Sequence, residues 1–105
     1  MFAQVTTFGI RSATITRIVR AFDQEVLPRA REQEGFLKGD LLTRSRLSKG
    51  VAIFYWDRER DAMEFRKSGG LDDLLAPLQP YLLDKPVTEG YEPNIVSPFP
   101  DGRRS

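Results

Sequence analysis

The chain has neither cysteine nor histidine in its 105 residues. Without cysteine there is no disulfide framework, no thiol nucleophile and no thiolate-held iron–sulfur cluster, and the redox compartment is left unmarked. Without histidine the commonest general base, the commonest metal ligand and the usual haem ligand are lost together. Charge of one sign is also lacking: 16 Lys and Arg stand against 15 Asp and Glu, a net charge of +1. These charges are interspersed, as on a solvated mixed surface, whereas a nucleic-acid groove would cluster them; the Arg103–Arg104 pair is too short to be a basic arm. No apolar run approaches the ~18 residues of a membrane-spanning helix. The opening MFAQVTTFGIR lacks the charged region and apolar block of a secretory signal. The expectation is a cytoplasmic protein that binds neither nucleic acid nor membrane. P-loop, dinucleotide and GxS fingerprints are missing too, and serine and threonine without histidine offer no nucleophile–base pair.

What is present reads as one domain over residues 1–93 and a C-terminal tail over 94–105, flexible or partner-clasping. Phe2 to Ile10 predicts a strand with Phe2, Gln4, Thr6, Phe8 and Ile10 on one face, rich in β-branched and aromatic residues. Ser12 or Thr14 can cap a helix whose apolar stripe is Ile15, Ile18, Val19, Phe22, Val26 and Ala30, at helical spacing. Pro28 lies inside this stripe and should bend the helix, because its ring displaces the carbonyl of Gln24. Gly35 suits the residue just beyond the helix end.

A second strand is expected from Phe36 to Leu47, a hairpin turn at Ser48-Lys49-Gly50 and a third strand from Val51 to Trp56. Asp57 is placed to cap a second helix running to Ser68, which Gly69-Gly70 ends. Leu71, Leu74, Leu75, Leu78 and Leu82 then repeat at helical spacing, with Pro77 and Pro80 restricting them to short turns. A last strand, Lys85 to Pro93, is interrupted by Pro86 and Gly90 and suits an edge.

The order β-α-β-β-α-β is the ferredoxin-like split βαβ pattern, an α+β fold with helices on one face of a four-stranded antiparallel sheet, a dimeric α+β barrel when paired. A monomer would leave the other face polar. In Val51–Trp56, however, Ala52, Phe54 and Trp56 oppose Val51, Ile53 and Tyr55, and neither set is polar. The expectation is a homodimer in which two sheets pack face to face.

Pro28, the Gly35-Phe36 pair, the strand ending Tyr55-Trp56-Asp57, the run Glu59 to Ser68 and the segment LDDLLAPLQPYLLDKPVTEGYE together resemble the antibiotic biosynthesis monooxygenase family of dimeric α+β barrels, over residues 2 to 93. The resemblance implies a homodimer whose sheets form a barrel, with a small-molecule pocket between sheet and helices in each subunit. It also implies oxidation of an aromatic polyketide or quinol by dioxygen, with no metal or prosthetic group as cofactor; other members degrade haem. Many relatives carry a histidine three residues before the serine matching Ser68. Here that residue is Phe65, which argues against haem degradation by a helix histidine.

The residues weighed for function have plainer readings beside them. Trp56 is a candidate to stack on a flat substrate, or a core aromatic. Tyr55 points to the opposite face and serves as a hydrogen-bond donor or as dimer packing. Arg44, with Arg46, and Arg66 are weak catalytic candidates that could steady a phenolate or enolate oxygen; a solvated strand face and a helix-dipole partner are the alternatives. Phe22 and Phe65 are expected to wall the pocket or to be plain core. Asp72-Asp73 lacks a third ligand at usable spacing, so no metal site is expected. The reading is a cofactor-independent monooxygenase-like protein acting on an aromatic or quinone-type small molecule; the alternatives are a non-catalytic dimeric binding or sensing module and a dimer whose filled interior is purely structural.

Overall fold

A computed structural model describes residues 1–94. The elements are β1 (Phe2–Gly9), α1 (Ile15–Ala21), α2 (Leu27–Ala30), β2 (Phe36–Arg44), β3 (Lys49–Trp56), α3 (Glu59–Lys67), α4 (Gly70–Leu75) and β4 (Val87–Tyr91), with a π-helical turn, Phe22–Val26, joining α1 to α2. The strands form one antiparallel sheet in the order β2-β3-β1-β4. This is the α+β ferredoxin-like arrangement that the sequence pattern predicts, with the proline-broken last strand at an edge.

Strand alternation decides where the core sits. Phe2, Gln4, Thr6 and Phe8 of β1 and Ala52, Phe54 and Trp56 of β3 are buried, as the two-residue period requires of the helix-covered face. Ile18, Phe22, Val26 and Ala30 from the first helical layer and Ala62, Leu71, Leu74, Leu75 and Leu78 from the second close over them. Val51, Ile53 and Tyr55, on the other face, remain half-buried in the single chain. Around them Leu42, Val87 and Tyr91 are exposed. The second apolar face is therefore open.

Several local expectations are corrected. Pro28 produces a wider turn where a simple bend was expected: it offers no N–H to the carbonyl of Gln24, and the Leu27 N–H instead reaches back five residues to the Phe22 carbonyl. Val19, placed in the buried stripe, is 48% exposed beside β2. The second strand stops at Arg44, and Ser45–Leu47 forms a 3-10 turn. Ser48, at φ 50°, takes the left-handed position of the turn. Gly50 is instead a strand residue, required because the ring of Phe8 occupies the place its Cβ would fill. Leu37 falls in an irregularity between Phe36 and Lys38 and is 49% exposed.

Helix capping also departs from expectation. Arg58, not Asp57, is the N-cap of α3; Asp57 lies one residue outside the helix, its N–H given to the Gly35 carbonyl at 2.7 Å. Neither Ser12 nor Thr14 caps α1 through its side chain; Thr14 Oγ1 donates to the Arg11 carbonyl at 2.7 Å. Gly35 lies beyond the helix end at φ +82° and closes the following loop. The C-terminal tail, apart from Asn94, falls outside the described residues. Among the described residues no helix is long and apolar enough to cross a membrane.

Phe54 has no exposure and stacks on Phe22 at 6.0 Å between centroids. Phe54→Ala should lower the unfolding free energy by about 3–5 kcal/mol, read by urea denaturation; a loss under ~1 kcal/mol would show that this ring does not hold the two layers together.

Candidate active site beside Trp56

The site is built from the end of β3 inward. Alternation turns Trp56 under the helices, and no part of it is exposed. A buried indole N–H needs an acceptor, and Gln4 on β1 supplies one: Trp56 Nε1 donates to Gln4 Oε1 at 3.2 Å. Gln4 is itself 2% exposed, so the pair satisfies both polar groups in a dry place. Phe36 meets the indole edge-on at 5.7 Å and Phe65 tilts against it at 5.2 Å. Phe36 also touches Phe54 at 6.2 Å, and Phe54 touches Phe22. Five aromatic rings thus run in one chain from the first helical layer to α3.

The chain of rings reaches the surface at a cleft of about 220 Å³ lined by Trp56, Phe65, Asp61, Gln33, Glu34 and Glu64, with Ser68 at its side. Sharing Phe65, Gln33 and Ser68, a larger hollow of about 570 Å³ continues between α2 and α4 past Arg29 and Asp73. Asp61 is the buried charge of the region, with a side chain 8% exposed and its Oδ2 3.6 Å from Arg58 Nε. That oxygen has no hydrogen-bond partner. Gly35 lies so close that a Cβ there would strike the Asp61 carboxylate. A separate cleft of about 550 Å³ opens between α1 and β2 over Phe22, Leu27 and Leu41. Among the described residues no group of three or more metal-type side chains is close enough to hold an ion.

No protein-family model and no curated protein matches the sequence. Solved structures do match the fold. One is a monooxygenase from the ActVA-Orf6 gene of Streptomyces coelicolor, in complex with nanaomycin D; it shares 24% identity at a TM-score of 0.68 over 91% of this chain and 89% of its own. Another is SnoaB, a cofactor-independent oxygenase from Streptomyces nogalater, with 17% identity and a TM-score of 0.69 over 93% and 97%. A third is described simply as an antibiotic biosynthesis monooxygenase, with 13% identity and a TM-score of 0.65 over 89% and 98%. The fold is that of the antibiotic biosynthesis monooxygenases.

Within the antibiotic biosynthesis monooxygenase fold the sequence-derived candidates separate into distinct places. Trp56 and Phe65 share the small cleft. Phe22 stands at the far end of the ring chain and floors the α1–β2 cleft. Tyr55 lies on the open sheet face with the Lys38 ammonium 4.8 Å over its ring. Arg44 is exposed at the end of β2, opposite Lys49. Arg66, in the last turn of α3, donates from Nη1 to the Thr88 carbonyl at 3.4 Å. Gln4 and Asp61 escaped the candidate list. Gln4 had a signal, since it is a polar residue on the buried face of an alternating strand; Asp61, an acid in the first turn of a helix, had none.

Gln4→Leu keeps the bulk of the side chain and removes the indole's acceptor. It should cost about 1–3 kcal/mol of stability and shift the indole N–H resonance of the single tryptophan upfield. An unmoved resonance would show that the Gln4–Trp56 bond is not formed in solution.

Proposed function

We propose that this chain is a cofactor-independent monooxygenase-like protein acting on an aromatic or quinone-type small molecule, and that it works as a homodimer. The observation that carries the reading is the cleft at Trp56 and Phe65, backed by the hydrogen-bonded Gln4. The fold it shares with oxygenases supports it. So does the nanaomycin D held by one structure of the same fold.

The chemistry asked of the protein is modest. A ring made electron-rich by its hydroxyl reduces dioxygen. With 1-naphthol, the C–H para to the hydroxyl becomes a carbonyl and the hydroxyl carbon becomes the second. One oxygen atom of dioxygen enters the quinone, and the other leaves as water with the two hydrogens lost from the ring. The substrate supplies all four electrons. The protein contributes orientation and exclusion of water beside the ring chain. The purified protein should consume one dioxygen per 1,4-naphthoquinone formed. Trp56→Phe should slow turnover about tenfold or more while remaining folded, if losing one well-placed contact costs ~1.4 kcal/mol in the transition state. Full activity in a folded Trp56→Phe variant would remove Trp56 from the site.

The absence of histidine from the chain, and with it of an obvious acid–base pair, favours a second reading, a dimeric binding or sensing module. In that case 1-naphthol would raise Tm with no product and no dioxygen uptake.

The dimer is proposed from the open face. Val51, Ile53 and Tyr55 sit amid exposed Leu42, Val87 and Tyr91, an apolar face of the kind that a second subunit covers. Sedimentation at micromolar concentration should give twice the mass of 12.0 kDa. Ile53→Asp should give a folded monomer; an unchanged mass in that variant would place the interface elsewhere.

A further inference from the structure

The unpaired oxygen of Asp61 calls for a partner. A buried acceptor without a donor is destabilising, and such groups in native folds are few. No other residue of the cleft donates to it in the structure. Trp56 Nε1 is given to Gln4. Ser68 Oγ donates to the Phe65 carbonyl at 2.9 Å, and Gln33 Nε2 to the Arg29 carbonyl at 3.1 Å. Arg58 reaches Asp61 Oδ2 only at 3.6 Å, an ion pair longer than a hydrogen bond.

We infer that Asp61 is the acceptor for the hydroxyl of a neutral hydroxyaromatic ligand, and that this cleft selects such a ligand over its carboxylate analogue. The inference rests on the aromatic-ligand reading above and names the group that holds the ligand. An anion is disfavoured because Asp61, Glu34 and Glu64 all line the cleft and none of its lining residues is Lys or Arg. A neutral O–H avoids that repulsion and completes a charge-assisted bond. The ring rests against Phe65, at the exposed end of the aromatic chain. The space, about 220 Å³, is smaller than the ~300–1,000 Å³ of drug-sized pockets, which suits one or two fused rings.

Asp61 is a positioning group in this account, and its test is a selectivity rather than an activity. The single tryptophan gives one indole N–H resonance, a reporter inside the site. Its shift can be followed during titration of the full chain with 1-naphthol and 1-naphthoate. The native protein should bind 1-naphthol at least tenfold more tightly than 1-naphthoate. Asp61→Asn should weaken 1-naphthol by roughly 10- to 100-fold, the scale of a hydrogen bond to a charged group, and narrow the gap to 1-naphthoate. Should that variant fail to fold, Glu34→Gln with Glu64→Gln, at two exposed positions, should still narrow the gap. Tight 1-naphthol binding that Asp61→Asn leaves unchanged overturns the role of Asp61 and leaves the aromatic site standing. Equal binding of 1-naphthoate by the native protein overturns the selectivity. No response of the indole resonance to 1-naphthol overturns both the inference and the aromatic-ligand reading.

Discussion

The bond from the Trp56 indole to Gln4 is the constraint on which the interior depends. An indole cannot be sealed under two helical layers with its N–H unanswered. Once Gln4 accepts that hydrogen, the ring is free to act as a wall. Phe36 and Phe65 pack on it, Phe54 packs on Phe36, and Phe22 packs on Phe54. The first helical segment, the sheet and α3 are thereby joined through stacked and tilted rings.

The fold was legible because its signals are periodic. Alternation in β1 separated its two faces, β3 showed itself apolar on both, and the leucine spacing after Gly70 marked the helical cover. What escaped the sequence was settled by partners remote in the chain. Gly50 looks like a turn glycine until the ring of Phe8 is seen across the sheet, and the turn then falls to Ser48. Asp57 looks like a cap, but the helix starts one residue later and Asp57 is bonded to Gly35 across the loop. Pro28 announces a disturbance in the helix, but whether the chain kinks or widens depends on which carbonyl the next free N–H can reach.

The site was legible only in part, for the same reason. Trp56 and Phe65 were nameable from their positions at a strand end and on a helix, and the structure puts them in one cleft. The basic and phenolic candidates were chosen by chemistry alone, and tertiary structure distributes Tyr55, Arg44 and Arg66 over a sheet face, a strand end and a helix end. Asp61 could not be singled out, since its character comes from Gly35 pressing on it and from neighbours whose donors are spent elsewhere. In a chain without histidine, the environment of a carboxylate carries what residue identity usually signals.

The bond between the Asp57 N–H and the Gly35 carbonyl ties the loop after α2 to the strand end beside the cleft, at 2.7 Å. Gly35 also packs against the Asp61 carboxylate, so any displacement of that loop uncovers Asp61 and frees the Asp57 amide in the same movement. Solvent deuterium can replace that amide hydrogen only during such excursions. The exchange rate of a single backbone amide therefore clocks how often the floor of the cleft is laid open, in the resting protein and without any ligand present.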